Sequence, residues 1–426
     1  MAKSICAALG IAAVLAAFPP AFGRPPCCPD SIIVQFYADV CDDDRTALAE
    51  KYQCAIACTC RAGDFHRVLI PAEHTPESMV EFFRAEADVE YAELNYYADT
   101  FAEPNDTFYS FQWHMQNDTT GGIYIEDAWA IETGDPNVII AVVDTGVAYE
   151  DFDGFRQAPD LAGTSFVAGY DFINDDEHPN DDQGHGTHVA GTIGQSTDNG
   201  LGVAGVAFGC SIMPIKVLDA EGVGDHFTIA RGLIWAADNG AKVINLSLGG
   251  PDGSRTLEQA VAYAHRAGVT VVCAAGNEFR RGNAPSFPAA YDDYCIAVGA
   301  TRYDDRRAPY SNTGTYLDVA APGGDISLDQ NEDGYADGVL QQTFSLDPTE
   351  FAYIFFQGTS MAAPHVSGVA ALLVSHGVTH PDDVREAIQM SAIDAAPPGW
   401  DPQYGHGLLN APAALLYQPP KINNPR

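Results

Sequence analysis

Ile139-Ile-Ala-Val-Val-Asp-Thr-Gly146 decides the fold. Five apolar residues without a polar interruption predict a strand buried on both faces, and such strands belong to parallel sheets covered by helices. Outward from it, apolar strands are expected at 138–143, 212–217, 243–248, 269–274 and 296–298. Helical stretches at 188–193, 227–239 and 257–267 fall between them. This alternation reads as α/β, a parallel sheet with helices on both faces. Active sites in such sheets gather beyond the carboxyl ends of the strands, which is where Asp144 stands. Alone, an aspartate there is as easily a turn residue.

Two other stretches change that balance. Gly184-His-Gly-Thr-His-Val-Ala-Gly191 puts a histidine at the start of a helix. Gln357-Gly-Thr-Ser-Met-Ala-Ala-Pro-His365 puts a serine among small residues, just before an apolar run at 366–374 that reads as a buried helix. Small neighbours admit another backbone closely, and a helix start offers free N–H groups beside the hydroxyl. Both suit a nucleophile whose attack develops an oxyanion; a plain N-cap serine is the other reading of that segment alone. A serine hydroxyl needs a base to take its proton, a neutral histidine can take and return it, and an aspartate fixes the imidazole tautomer. Asp144, His185 and Ser360 occur in the Asp–His–Ser order, one of three known chain orders for this triad. His188, one helical turn on, reads as structural.

On these motifs the chain resembles the subtilisin family of secreted serine proteases, nearest its thermitase-like branch, with an inhibitor-type N-terminal prosegment. The resemblance runs from that prosegment to Gly405-His-Gly-Leu-Leu-Asn410. It implies a subtilisin-like three-layer fold, preceded by a small α+β, ferredoxin-like unit. Asp144 would orient the imidazole, His185 act as general base and then acid, and Ser360 attack. Val271–Glu278 matches the family's oxyanion-hole segment, with Asn277 donating its side-chain amide beside the Ser360 N–H. Gly222, Gly224, Ser247, Leu248 and Gly249 match the two edge segments that pair with an extended substrate. Large apolar residues are the family default before the cut, and Glu278 would add tolerance for basic ones. Calcium is the implied cofactor. Asp106, Asp160 and Asn199, with carbonyls of Thr197, Leu201 and Val203, match the family's strong site, and the loop containing Asp171 and Asp176 a second one.

Asp329-Gln-Asn-Glu-Asp-Gly-Tyr-Ala-Asp337 reads as an insertion. Asp329, Asn331 and Asp333 stand at positions one, three and five, a glycine at six and Asp337 at nine. That resembles the front of an EF-hand loop, although Leu340 replaces the glutamate at position twelve. A solvated acidic turn is the other reading.

The chain has 426 residues and a net charge of -37, with 58 acidic against 21 basic side chains. Nucleic acid and anionic membranes are excluded as partners on that balance. Protein or peptide substrates and the chain's own prosegment, as an intramolecular inhibitor, are expected instead. Residues 1–23 carry Lys3, an apolar run at 5–18 and Ala21-Phe22-Gly23, a secretory signal too short for a bilayer span. The protein is expected outside the cytoplasm, extracellular or periplasmic, with no membrane anchor once the signal is removed. Residues 24–101 read as a prosegment in the order βαββαβ, with Thr75 capping its second helix. The peptidase domain takes 102–417, opening on a polar link at 102–106 suited to cleavage, and 418–426 form a short tail. Of ten cysteines, six lie between Cys27 and Cys60, where an oxidising compartment predicts disulfides. A catalytically silent fold of the same shape that binds rather than cleaves is the competing reading. So is an acid peptidase with a Ser-Glu-Asp site, but the intact His185 motif disfavours it.

Overall fold

The computed structural model describes residues 27–60, 65–71, 74–96, 103–116, 120–395 and 398–417. The signal at 1–23, the stretch 97–102 and the tail at 418–426 lie outside the described residues. The chain divides into two compact units, one ending at Thr100 and one beginning at Phe101.

The first unit runs β1 (Cys27–Phe36), α1 (Asp42–Lys51), β2 (Ala55–Cys60), β3 (Phe65–Leu69), α2 (Pro76–Arg84) and β4 (Val89–Tyr96). This is the expected βαββαβ order. Its antiparallel sheet is ordered β2-β3-β1-β4. Both helices feed one core, where Leu48, Met79, Val80 and Phe83 meet Ile32, Val34 and Val68. Thr75 caps α2 by accepting the Ser78 N–H. The predicted disulfides do not form among the described thiols here: Cys28, Cys41, Cys54, Cys58 and Cys60 are all unpaired. Cys54 is turned into the core, Cys41 donates to Asp44, and Cys58 and Cys60 stand two apart on one strand.

The second unit runs α3 (Ile125–Trp129), β5 (Ile139–Asp144), β6 (Ser165–Phe166), β7 (Tyr170–Asp171), α4 (His185–Gly194), β8 (Ser211–Lys216), α5 (His226–Asp238), β9 (Val243–Leu246), α6 (Arg255–Arg266) and β10 (Thr270–Ala274). It continues through β11 (Ile296–Thr301), β12 (Val319–Pro322), β13 (Val339–Thr343), β14 (Ala352–Phe356), α7 (Thr359–Ser375), α8 (Pro381–Ser391) and α9 (Ala411–Leu416). The main sheet is parallel, in the order β12-β11-β10-β9-β5-β8-β6, with β7 also on β8. β5 lies inside it, as its unbroken apolar run requires, and alternate residues go to opposite faces. Ile140 and Val142 pack with Val189 of α4 and Val366 of α7, while Ala141 and Val143 pack with Leu233 of α5 and Val261 of α6. Helix α7 is buried from Met361 to Val374, as the run at 366–374 predicted.

The helices differ at their starts. Asp225 caps α5 and Ser254 caps α6 with side-chain oxygens, but α4 and α7 begin after glycines that supply none. Those two carry His185 and Ser360, and what satisfies their first N–H groups shapes the site. Among the described residues, no helix is long and apolar enough to cross a membrane.

Candidate active site

Asp144 is completely buried at the end of β5. Its Oδ1 accepts the Thr145 N–H at 2.8 Å and the Nδ1–H of His185 at 2.7 Å. That bond puts the proton of a neutral imidazole on Nδ1 and leaves Nε2 as the basic nitrogen. Burial opposes the imidazolium, but the charge and hydrogen bond of Asp144, with the charge of Asp181 behind, outweigh it. The His185 pKa is therefore raised above its ordinary value.

Asp181 was not legible as a functional residue, yet it builds the start of α4. Its Oδ1 accepts from Thr145 Oγ1, Gln183 N and Gly184 N, and its Oδ2 from the N–H and hydroxyl of Thr187. Lys216 was also missed. Fully buried at the end of β8, its Nζ donates to Asp182, the Thr145 carbonyl and the Leu218 carbonyl. The only signal for either was a carboxylate run just ahead of a glycine-started helix. His188 is structural: its Nε2 lies 3.0 Å from the Val339 carbonyl, and its ring stacks on Phe356.

Gly358 (φ 151°, ψ 163°) adopts a conformation essentially restricted to glycine, which turns the chain from β14 into α7. The Oγ of Ser360 donates to the Ser247 carbonyl at 3.0 Å, and the Oγ of Ser247 donates to the Ser360 carbonyl at 2.8 Å. The structure thus joins Asp144 to His185 and Ser360 to Ser247. The Ser360 hydroxyl is turned to Ser247 and makes no hydrogen bond to the imidazole. Asn277, exposed in the loop after β10, accepts from the N–H and hydroxyl of Thr359 through Oδ1, at 2.9 and 3.1 Å. This pins the amide with Nδ2 as its free end. The Ser360 N–H, in the uncapped first turn of α7, is unused as well. Glu278 is exposed, and its Oε2 accepts the Asn277 N–H at 2.7 Å, bracing that loop.

Ser247, Leu248 and Gly249 follow β9, while Gly222 and Gly224 follow β8, so both segments lie at the strand ends that carry Asp144. At Gly224 a side chain would meet the Val217 carbonyl at 2.3 Å, so only glycine fits there. Val223 between the glycines is well exposed.

The expected calcium ligands behave differently from one another. Asn105 and Asp106, read as part of a polar link, are built into the second unit: the Asn105 N–H donates to Asp198, and Asp106 Oδ2 accepts the Asp198 N–H. Asp106 Oδ1 is buried with no hydrogen-bond partner. Asp160, fully buried, accepts from Asn199 Nδ2 and Val203 N, and burial pushes its pKa up to about 6. Thr197 donates to the Gln195 carbonyl, and the Leu201 N–H to Asn199, closing the same loop. In contrast, Asp171 is spent on its own loop. Its Oδ1 takes the N–H groups of Ile173 and Asn174, its Oδ2 takes Asn174 Nδ2, and Asp176 takes the His178 N–H. Each Asp171 oxygen accepts within its own loop, so the expected second site, unlike Asp106, shows no orphaned acceptor on that residue. Among the described residues, no three His, Cys, Asp or Glu side chains are gathered into a ready metal cage.

The profile of the Subtilase family matches residues 135–407. The thermophilic serine proteinase of Bacillus sp. (strain AK1) is 39% identical over 389 residues, 91% of this chain and 87% of that protein. Thermitase of Thermoactinomyces vulgaris is 40% identical over 315 residues, 74% of this chain and 99% of its own. Among solved structures, a protease from Pseudoalteromonas arctica superposes with a TM-score of 0.64 at 34% identity, covering 74% of this chain and 99% of that one.

Proposed function

The chain belongs to the subtilase family of serine proteases, and from that premise we propose that it is a secreted endopeptidase made as a self-processing precursor. The observation that carries the reading is the 2.7 Å bond from His185 Nδ1 to a buried carboxylate at the end of the central strand. A substrate strand lies along Ser247–Gly249 and Gly222–Gly224. Rotation about the Ser360 Cα–Cβ bond releases its hydroxyl from the Ser247 carbonyl and aims it at His185 Nε2. The imidazole takes the proton as Oγ attacks the scissile carbonyl. Negative charge then collects on the carbonyl oxygen, where Asn277 Nδ2 and the Ser360 N–H donate. His185 returns the proton to the departing amine, leaving an acyl group on Ser360. Water, activated by the same imidazole, releases the second product. Asp144 holds the tautomer throughout and stabilises the imidazolium.

Calcium fits the Asp106–Asp160 loop, with Asn199 and the carbonyls of Thr197, Leu201 and Val203 around it. The donor set is entirely oxygen, and Asp106 Oδ1 lacks a partner. When bound, the ion supplies positive charge to buried carboxylates and takes no part in the reaction. Residues 24–101 serve as the inhibitory prosegment, and the cut falls before Asn105, whose backbone is tied to Asp198. Export follows from the leader at 1–23, and a relative from Natrialba magadii is named as an extracellular protease.

The deciding experiment compares intact masses of wild type and Ser360→Ala, purified identically from a protease-deficient host. Wild type should lose its first ~100 residues by the prosegment logic, and Ser360→Ala should stay whole. Trimming of Ser360→Ala at the same bond excludes self-processing. An uncut wild type that a fluorophosphonate does not label returns the silent, binding-only fold.

A further inference from the structure

Between β12 and β13 the chain makes an excursion that the proposed chemistry does not use. Its stalks are tied where the Asp325 N–H donates to the Asp337 carbonyl at 2.9 Å. Inside, the backbone wraps around its own side chains. Gly334 N–H donates to Asp329 Oδ2, Tyr335 N–H to Asp333 Oδ1, and Asp333 N–H to Asn331 Oδ1. By themselves these bonds describe only a tidy acidic turn.

Asp337 is what such a turn does not explain. It is 1% exposed. Its Oδ2 accepts the Gln330 N–H at 2.7 Å, yet its Oδ1 is buried with no partner. The like charges of Asp329 and Asp333 press on it from the same loop. A buried acceptor left unpaired costs free energy, and two like charges nearby add to that cost. One divalent cation relieves all three carboxylates. The donors are oxygen only, which selects a hard ion and disfavours zinc. An irregular set of protein oxygens suits calcium, whereas magnesium demands near-ideal octahedral geometry and keeps its waters.

We propose that Asp329, Asn331, Asp333 and Asp337 form a calcium site whose ion braces the peptide that carries Ser360. To reach the ion Asp329 turns from the Gly334 N–H, and Asp333 from the Tyr335 N–H and the Asn331 Nδ2 that donates to its Oδ2 at 2.9 Å. The connection to Ser360 is short on both stalks. On one, Asp337 leads through Gly338 into β13, which pairs Val339 with Phe356 at the end of β14, one residue before Gln357. The Gly338 carbonyl is fixed by Trp113 Nε1 at 3.0 Å. On the other, the Ile326 N–H donates to Gln357 Oε1 at 2.8 Å, and the Gly323 carbonyl accepts the Gly358 N–H at 3.0 Å. Gln357 and Gly358, the last residues before α7, are thus gripped from both sides of the loop. The bracing rests on the assignment of Ser360 as nucleophile, whereas the binding does not.

Binding is measured on full-length Ser360→Ala, freed of metal by chelator and gel filtration, with calcium titrated calorimetrically. Adding Asp337→Asn, or separately Asn331→Ala at the loop surface, should remove one calcium per chain. Terbium offers a second readout, because Tyr335 at position seven should sensitise its emission and Tyr335→Phe should dim it. Unchanged calcium stoichiometry in both loop variants overturns the site. In the active chain, Asn331→Ala should lower kcat and the rate of fluorophosphonate labelling together by about tenfold, with KM unchanged, as a misaligned nucleophile does. Lost calcium with unaltered kcat keeps the site and overturns the bracing. A wild type that neither cleaves nor labels overturns the bracing and the peptidase reading together, with the calcium count still deciding the site.

Discussion

Ser247 and Ser360 exchange two hydrogen bonds, each hydroxyl donating to the other's carbonyl, at 2.8 and 3.0 Å. The first ties the segment after β9 to the first turn of α7, and the second parks the Ser360 hydroxyl. A side-chain relay stands behind: Asn245 Nδ2 donates to Ser247 Oγ, and Ser367 Oγ donates to Asn245 Oδ1. A residue expected to serve only as substrate edge therefore also fixes where α7 begins.

Ser247→Ala removes the bond to the Ser360 carbonyl and strands Asn245 Nδ2. A neutral hydrogen bond is worth about 1 kcal/mol, so kcat/KM should fall roughly fivefold and the melting temperature should drop. Hydrolysis of a chromogenic peptide reads the first and calorimetry of the Ser360→Ala background the second. If neither moves, the exchange is incidental.

Asn277→Leu should lower kcat by about 10²–10³ and leave KM nearly unchanged, because charge reaches the carbonyl oxygen only in the transition state. The same change removes the acceptor of the Thr359 N–H, so the labelling rate should fall with kcat. A raised KM at constant kcat would make Asn277 a binding residue instead.

The acid side of the rate profile should report His185. Catalysis needs the neutral ring, and Asp144 with Asp181 favours the charged one, so kcat/KM should fall as pH drops through a pKa above the ordinary ~6.5. A limb found clearly below that value would mean that burial outweighs the carboxylates.

Chelator should lower the melting temperature and hasten self-digestion, because it strips charge from Asp106 and Asp160. Both carry pKa values raised by burial, that of Asp160 to about 6, so both depend on a compensating charge. Asp329→Asn with Asp333→Asn should remove only part of this loss. A melting curve indifferent to excess chelator would sink every calcium assignment made above.

What could be read from sequence follows from the kind of signal. β5 was legible because burial on both faces forces an unbroken apolar run, and α7 because its whole circumference is buried. Asp144, His185 and Ser360 stood out because each has a glycine within two positions of it. The β13–β14 hairpin was not: Gln341, Gln342 and Thr343 are buried yet polar, so no apolar run marks the strand. Asp181 and Lys216 were lost for the same reason, since nothing local distinguishes a buried, saturated charge from a solvated one. Asp171 was read only as a ligand; that its oxygens also take three donors of their own loop depends on how the turn folds, which no residue pattern displays.

The strand order of the main sheet also sets a schedule. β5 is flanked by β8 and β9, which begin only at Ser211 and Val243, so this apolar strand emerges long before either neighbour exists. Parallel pairing between such distant segments folds slowly, and a lone apolar strand invites aggregation meanwhile. The helix bearing Ser360 arrives later still, at Thr359. A nascent chain therefore carries Asp144 and His185 long before the serine they are proposed to serve, and only α8 and α9 remain to be made once that serine has emerged.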